Sequence, residues 1–169
     1  SVNYEEFTYE GYGPGNMAVY VEIVTDNRNR ISAEMKHLFS KAGGNLGASG
    51  SVAWMFDKKG QIVVERTALM DEDEVMMQAL DAGAEDFVAQ EDVFEIYTSP
   101  AEFSKVREAL ESAGYTFLKA EVAMIPQNTV NITDPEVVEK VNKFLDNLDD
   151  NDDVQEVFHN AILPEEDEE

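Results

Sequence analysis

The sequence predicts an α+β fold of two nested, ferredoxin-like α/β plait domains, the inner inserted in the outer. Three observations lead there. Segments of β-branched and apolar residues alternate with segments whose apolar residues recur every three or four positions. Hydrophobic residues make up 43% of the 169, too many for a disordered acidic chain and enough for a buried core. The middle of the chain runs β-α-β-β-α-β within about 60 residues, the split βαβ pattern, and the flanking segments supply a second set.

Taken in order, residues 1–16 are polar and end in Gly11-Tyr12-Gly13-Pro14-Gly15-Asn16. Met17–Thr25 reads as a strand, with Glu22 its only charge. Asn29 is a plausible N-cap for a helix over Arg30–Ala42, where Ile31, Met35, Leu38 and Ala42 share a face. Gly43-Gly44 stops it. Ser51–Asp57 reads as a second strand, with Val52, Trp54 and Phe56 on one face, Trp54 being assigned to the core. Lys58-Lys59-Gly60 reads as a turn.

Gln61–Thr67 then reads as a strand. Asp71-Glu72-Asp73-Glu74 opens a helix with acids at its positive end, turning Val75, Met76, Ala79 and Leu80 inward, and Gly83 ends it. Phe87–Ala89 and Val93–Thr98 are strands. Ser99-Pro100-Ala101-Glu102 is a capping box with Pro at the first helical position, ahead of Phe103, Val106, Leu110 and Ala113. Tyr115–Lys119 closes the inner set. Lys119–Ile125 reads as a further strand, and Thr133-Asp134-Pro135-Glu136 opens a helix carrying Val137, Val138, Val141, Leu145 and Leu148. Val154–His159 is the last strand. The expected division is therefore 1–58 plus 119–163 for a discontinuous outer domain and 59–118 for an acidic inserted domain, with 164–169 a disordered acidic tail.

Acidic residues number 36 against 12 Lys and Arg, for a net charge of −24. Such a chain repels nucleic acid and anionic membrane over most of its surface. The charge is uneven, however. Residues 1–25 carry −4, residues 67–169 carry −23, and residues 26–66 carry +3, through Arg28, Arg30, Lys36, Lys41, Lys58, Lys59 and Arg66. Any polyanion contact is expected in that stretch. The longest apolar run, Met17–Val21, is far short of the ~20 residues of a membrane span, and no signal peptide opens the chain, so a cytoplasmic protein without membrane contact is expected.

Enzyme chemistry finds no foothold. Cysteine is absent, which removes thiolate nucleophiles and Cys-type zinc sites. There is no Gly-Lys pair for a P-loop, and the glycines at 11–15 precede a strand rather than opening a helix, the wrong context for a dinucleotide fingerprint. Gly47-Ala48-Ser49-Gly50 is one residue too short for a nucleophile elbow. The acidic run at 149–153 lacks the Gly and the final Glu of a calcium loop. No catalytic residue, metal site or cofactor is therefore expected. What remains is a basic, amide-rich turn and helix face between two Gly-rich loops. Arg28, Arg30, Lys36, His37 and Lys41 are the candidate phosphate contacts. Asn27 and Asn45 can hydrogen-bond sugars or bases, Gly13 and Gly15 can allow close approach, and glycine N–H groups can hold phosphates.

Several stretches resemble the YebC/PmpR family. They include Tyr9-Glu10-Gly11-Tyr12-Gly13-Pro14-Gly15, Thr25-Asp26-Asn27-Arg28-Asn29-Arg30, Gly43-Gly44-Asn45-Leu46-Gly47 and Gly50-Ser51-Val52-Ala53-Trp54-Met55-Phe56. Ala82-Gly83-Ala84-Glu85-Asp86, Val93-Phe94-Glu95-Ile96-Tyr97-Thr98, Met124-Ile125-Pro126-Gln127-Asn128-Thr129 and Asp153-Val154-Gln155-Glu156-Val157 continue the match. The resemblance implies a non-enzymatic regulator of gene expression that binds DNA in the intact protein. The alternative it implies is a translation factor that binds RNA or the ribosome. A homo-oligomeric ligand sensor or scaffold is a third reading, from a different class. The resemblance also implies a helical N-terminal domain ahead of two α/β domains. The Gly-His-Ser-Lys-Trp-type opening of that first domain is missing, so this chain is expected to be part of a longer protein, with weak nucleic-acid affinity of its own. Asn16 stands where the family commonly has a glycine.

Overall fold

The computed structural model describes residues 3–164; the expected tail from 165 onward lies outside them. The fold is α+β, with four helices and mainly antiparallel sheets. The chain divides into two compact units. One takes the residues up to Asp57 together with those from Pro126 onward; the other takes Lys58–Ile125.

The first unit is built on β1 (Glu5–Tyr12), β2 (Ala18–Thr25), β3 (Asn45–Leu46) and β9 (Val154–His159), in the order β3-β1-β2-β9. β1 and β2 form an antiparallel hairpin with Tyr12 opposite Ala18. A short parallel pair, β8 (Val130–Asn131) and β10 (Ala161–Ile162), accompanies it. Odd-numbered residues of β2 point to one face of the sheet, as the two-residue strand period requires. There Met17, Val19, Val21 and Ile23 meet Ile31, Met35 and Phe39 of α1 (Arg28–Lys41) and Val141, Phe144 and Leu148 of α4 (Pro135–Asp149). Phe39 and Phe144 pack edge to face at 5.0 Å.

The second unit is β4 (Phe56–Glu65), α2 (Glu72–Ala82), β5 (Asp86–Ala89), β6 (Val93–Thr98), α3 (Phe103–Ser112) and β7 (Phe117–Pro126). Its sheet order is β5-β6-β4-β7, the strand order of a ferredoxin-like plait. Ile62, Val64 and Ile96 of the sheet meet Ala79 of α2 and Val106 and Leu110 of α3.

Several expected elements are redrawn. Residues 5–12, read from the sequence only as polar, form β1, whose three acids and Gly11 hide a strand that pairs with β2 along its whole length. Ser51–Met55 is not a strand but a turn and a 3₁₀ turn. Lys58-Lys59-Gly60 is not a turn, because β4 runs straight through it. Gly60 is small for another reason: a Cβ there would stand 2.7 Å from Cδ2 of Phe103. Tyr115–Lys119 and Lys119–Ile125 are replaced by one strand, β7, with no turn residue to divide it. That moves the second boundary from 118/119 to 125/126, and the first unit's sheet is completed by β1 and β3 instead.

Helix starts shift by small amounts. α1 is capped by Asn27, not Asn29: the Asn27 side chain accepts from the Arg30 N–H at 3.1 Å. Asp134 rather than Thr133 caps α4, with Pro135 in its first turn. Leu80 of α2 stays exposed rather than turning inward.

Candidate functional site

The basic stretch is largely consumed by the protein's own acids. Arg30 is the clearest case. Its guanidinium reaches Asp153 at 2.6 Å, Glu34 at 3.2 Å and Asp26 at 3.5 Å. The hydrogen bonds it donates to Asp153 and then to Glu34 raise its pKa. Arg28 lies over the Phe7 ring at 4.9 Å, with Glu5 at 4.0 Å. Lys59 pairs with Glu85 and Arg66 with Glu72. Asn27 is spent on its cap.

The glycines serve packing. A Cβ on Gly13 would stand 2.9 Å from Cε2 of Phe144 and 3.0 Å from Cγ of Met17. Gly15 has φ +71° and would press on Ile132 and Val137. Neither approaches an open site in the way the sequence suggested. Asn16 follows at φ +63°; asparagine is among the non-glycine residues that best tolerate this region, so the backbone keeps the turn that glycine would give. Asn45 sits exposed in β3, opposite Tyr12 of β1.

The loop N–H groups are occupied as well. Glu10, buried on β1, accepts from the N–H of Val52 at 2.8 Å and of Ala53 at 2.9 Å. Burial alone would raise its pKa, but bonds from the backbone of Gly50, Val52 and Ala53 bring it below the ordinary 4.5. The nest expected for a phosphate holds an internal carboxylate instead.

Of the candidate phosphate contacts Lys36, His37 and Lys41 remain, and of the other bases in the stretch Lys58 is also exposed and unpaired among the described residues. The first three are exposed on α1 and form no ion pair with the described residues. Lys41 lines a groove of about 340 Å³ with Lys140 and Lys143 of α4, Asn147, and Gly43 at the end of α1. No carboxylate lines this groove. Gly43 N–H donates to Ser40 and Gly44 N–H to Phe39, a Schellman closure that turns the chain away at that point. His37 lies one turn before Lys41, and both line an adjoining hollow with Glu34, Asn147 and Asp150; Glu136 and Glu139 flank Lys140 and Lys143 on the other side. The arrangement is a narrow cationic slot with acidic margins. Lys140 and Lys143 were missed because they lie in the strongly acidic part of the sequence. The available signal was their i, i+3 spacing on the face beside Val141 and Phe144.

A second groove, of about 240 Å³, lies in the same unit. It is lined by Tyr12, Asn16, Trp54, Gln127, Asn128 and Asn160, among others. Trp54 is 67% exposed, against the core placement expected for it. Among the described residues no group of His, Asp and Glu is gathered as a metal site, and no helix is long and apolar enough to cross a membrane.

The chain is thus an α+β protein in which a ferredoxin-like unit interrupts a sheet-and-two-helix unit that carries a lysine-lined groove. It belongs to the family described as TACO1/YebC second and third domain, whose model matches residues 4–161. A probable transcriptional regulatory protein of Acetivibrio thermocellus is 59% identical over 95% of this chain and 66% of its own length. One of Clostridium novyi with the same description is 58% identical over 98% of this chain and 67% of its own. The chain therefore spans about two thirds of the length of the curated relatives it matches. The crystal structure of a conserved hypothetical protein from Aquifex aeolicus shares the fold at a TM-score of 0.85 and 46% identity, covering 98% of this chain and 68% of that one.

Proposed function

We infer that this chain is part of a non-enzymatic regulator of gene expression that contacts the phosphate backbone of nucleic acid. The groove between α1 and α4 makes the contact. The observation that carries this reading is the grouping of Lys41, Lys140 and Lys143 without a lining carboxylate, in a chain of net charge −24. Lysines that form no ion pair among the described residues, in a protein with acid to spare, are the groups left to meet an external anion. The names of the relatives support a regulatory role.

Phosphate contacts position a protein without reading sequence, and a slot with acidic margins limits how many phosphates it can engage. The affinity of this chain is therefore low, and it adds to whatever the rest of the protein supplies. Lys36 and His37 extend the cationic edge along α1. Arg28 and Arg30 belong to the scaffold. A mobility shift with labelled duplex DNA and with RNA at low salt tests the reading. Reversing charge at Lys41 and Lys140 abolishes the shift; an unchanged shift would exclude the groove.

A further inference from the structure

We propose that the groove beside Trp54 is a stacking site for a single unpaired nucleobase, resting on the nucleic-acid reading above. Four observations converge on it.

The first is presentation. Trp54 sits on the 3₁₀ turn Ala53–Met55, the residue 67% exposed. It is nonetheless anchored. The indole Nε1 donates to the Ser51 carbonyl at 3.0 Å. Gln127 Nε2 donates to the Trp54 carbonyl at 3.2 Å, and Gln127 N–H donates to the Met55 carbonyl at 2.9 Å. Glu10 grips the preceding residues, Val52 and Ala53. A large ring presented to solvent on a hydrogen-bonded turn is a partly pre-organised platform, which lowers the ordering cost of binding.

The second is what the ring offers. Its N–H is already used, so a ligand meets the π-face and no donor. That suits stacking and does not suit capture of a peptide carbonyl by the indole, as grooves for extended Pro-rich segments employ.

The third is the lining. Asn16 and Asn128 bring carboxamides to the groove and Tyr12 a second ring, while Gln127 Nε2 is already bonded to the Trp54 carbonyl and Asp57, and Asn160 Oδ1 accepts from the Ala18 N–H. Carboxamides pair a donor with an acceptor in one plane, the pattern that matches base edges. The fourth is charge and size. No charged side chain lines the groove, so it selects a neutral group rather than a phosphate. At about 240 Å³ it falls below the range of drug-sized pockets and suits one ring system.

Trp54 is the only tryptophan, so its emission reports this groove alone. The test titrates the 169-residue chain with end-labelled 12-mers: single-stranded DNA, single-stranded RNA and the matching DNA duplex. Anisotropy reports binding anywhere on the protein, and Trp emission reports the groove. Both single strands quench Trp54, and the duplex binds with little quenching. Trp54→Ala weakens single-strand binding about tenfold, as loss of one base stack does, and leaves duplex binding unchanged. Trp54→Phe restores most of the difference. Rising anisotropy without quenching would overturn this proposal while leaving the lysine groove standing. No rise in anisotropy with any nucleic acid would overturn both. Equal quenching by a proline-rich decapeptide that displaces the single strand would assign the groove to a peptide and overturn the proposal.

Discussion

The guanidinium of Arg30 and the carboxylate of Asp153 stand 2.6 Å apart, joining the first turn of α1 to the residue before β9 across 123 positions of sequence. Asp153 also accepts from the Thr25 hydroxyl at 2.8 Å, so the end of β2 is tied to the same point. By composition Arg30 is a candidate phosphate ligand; by geometry it closes a three-way junction. Arg30→Ala therefore lowers the melting temperature and leaves nucleic-acid affinity unchanged, whereas Lys41→Gln does the reverse. Thermal melting and anisotropy on the two variants check this.

Gly13 makes a parallel case. Gly13→Ala puts a methyl against Phe144 and Met17 in a filled core, and overpacking of that kind costs about 1–3 kcal/mol. Urea denaturation shows a lower midpoint, while folded protein at low temperature binds nucleic acid as before.

Glu10 is buried and holds backbone N–H groups of the 50–53 loop. Glu10→Ala leaves them unpaired in the interior, which costs about 2–4 kcal/mol in total. Its depressed pKa means that the folded state gives up this proton more readily than the unfolded state. The contribution is full above the ordinary value of 4.5 and fades as pH falls through the lower folded value. Glu10→Gln removes that acid limb from a plot of stability against pH.

His159 acts at higher pH. Burial lowers its pKa from 6.5, and its Nδ1 accepts from the Ala161 N–H at 3.1 Å, a bond only the unprotonated nitrogen can make. The unfolded chain takes up the proton first, so stability is full above pH 6.5 and declines as pH falls toward the folded value. His159→Gln flattens the curve below pH 6.5, measured by urea denaturation at a series of pH values.

Much of this fold could be read from pattern. The inner unit was legible because its signals are local: alternating strands, the Asp71 cap, and Gly83 in the left-handed region at φ +116°. The outer unit was harder. β1 carries Glu5, Glu6 and Glu10, and nothing in its composition shows that it lies opposite β2. Val52, Trp54 and Phe56 alternate like a strand, yet the N–H groups of Val52 and Ala53 donate to Glu10 rather than to a ladder. Trp54 was assigned inward for the same reason. For the candidate site, charge counting located α1 but could not tell Arg30, surrounded by carboxylates, from Lys41, which has none in its groove. Lys140 and Lys143 come to the groove through packing of α4 against α1, a contact nearly a hundred residues apart in sequence.

The proposed phosphate contact consists of Lys41, Lys140 and Lys143. The most direct measurement is the salt dependence of affinity for duplex DNA, comparing the chain with its Lys41→Gln, Lys140→Gln, Lys143→Gln variant. Each phosphate contact contributes about 0.9 to the slope of log affinity against log salt. With the three lysines as the phosphate contact, the slope is shallower by about 2–3 in the variant, with the circular dichroism spectrum unchanged. A correctly folded variant that keeps both the affinity and the slope of the parent would contradict that assignment.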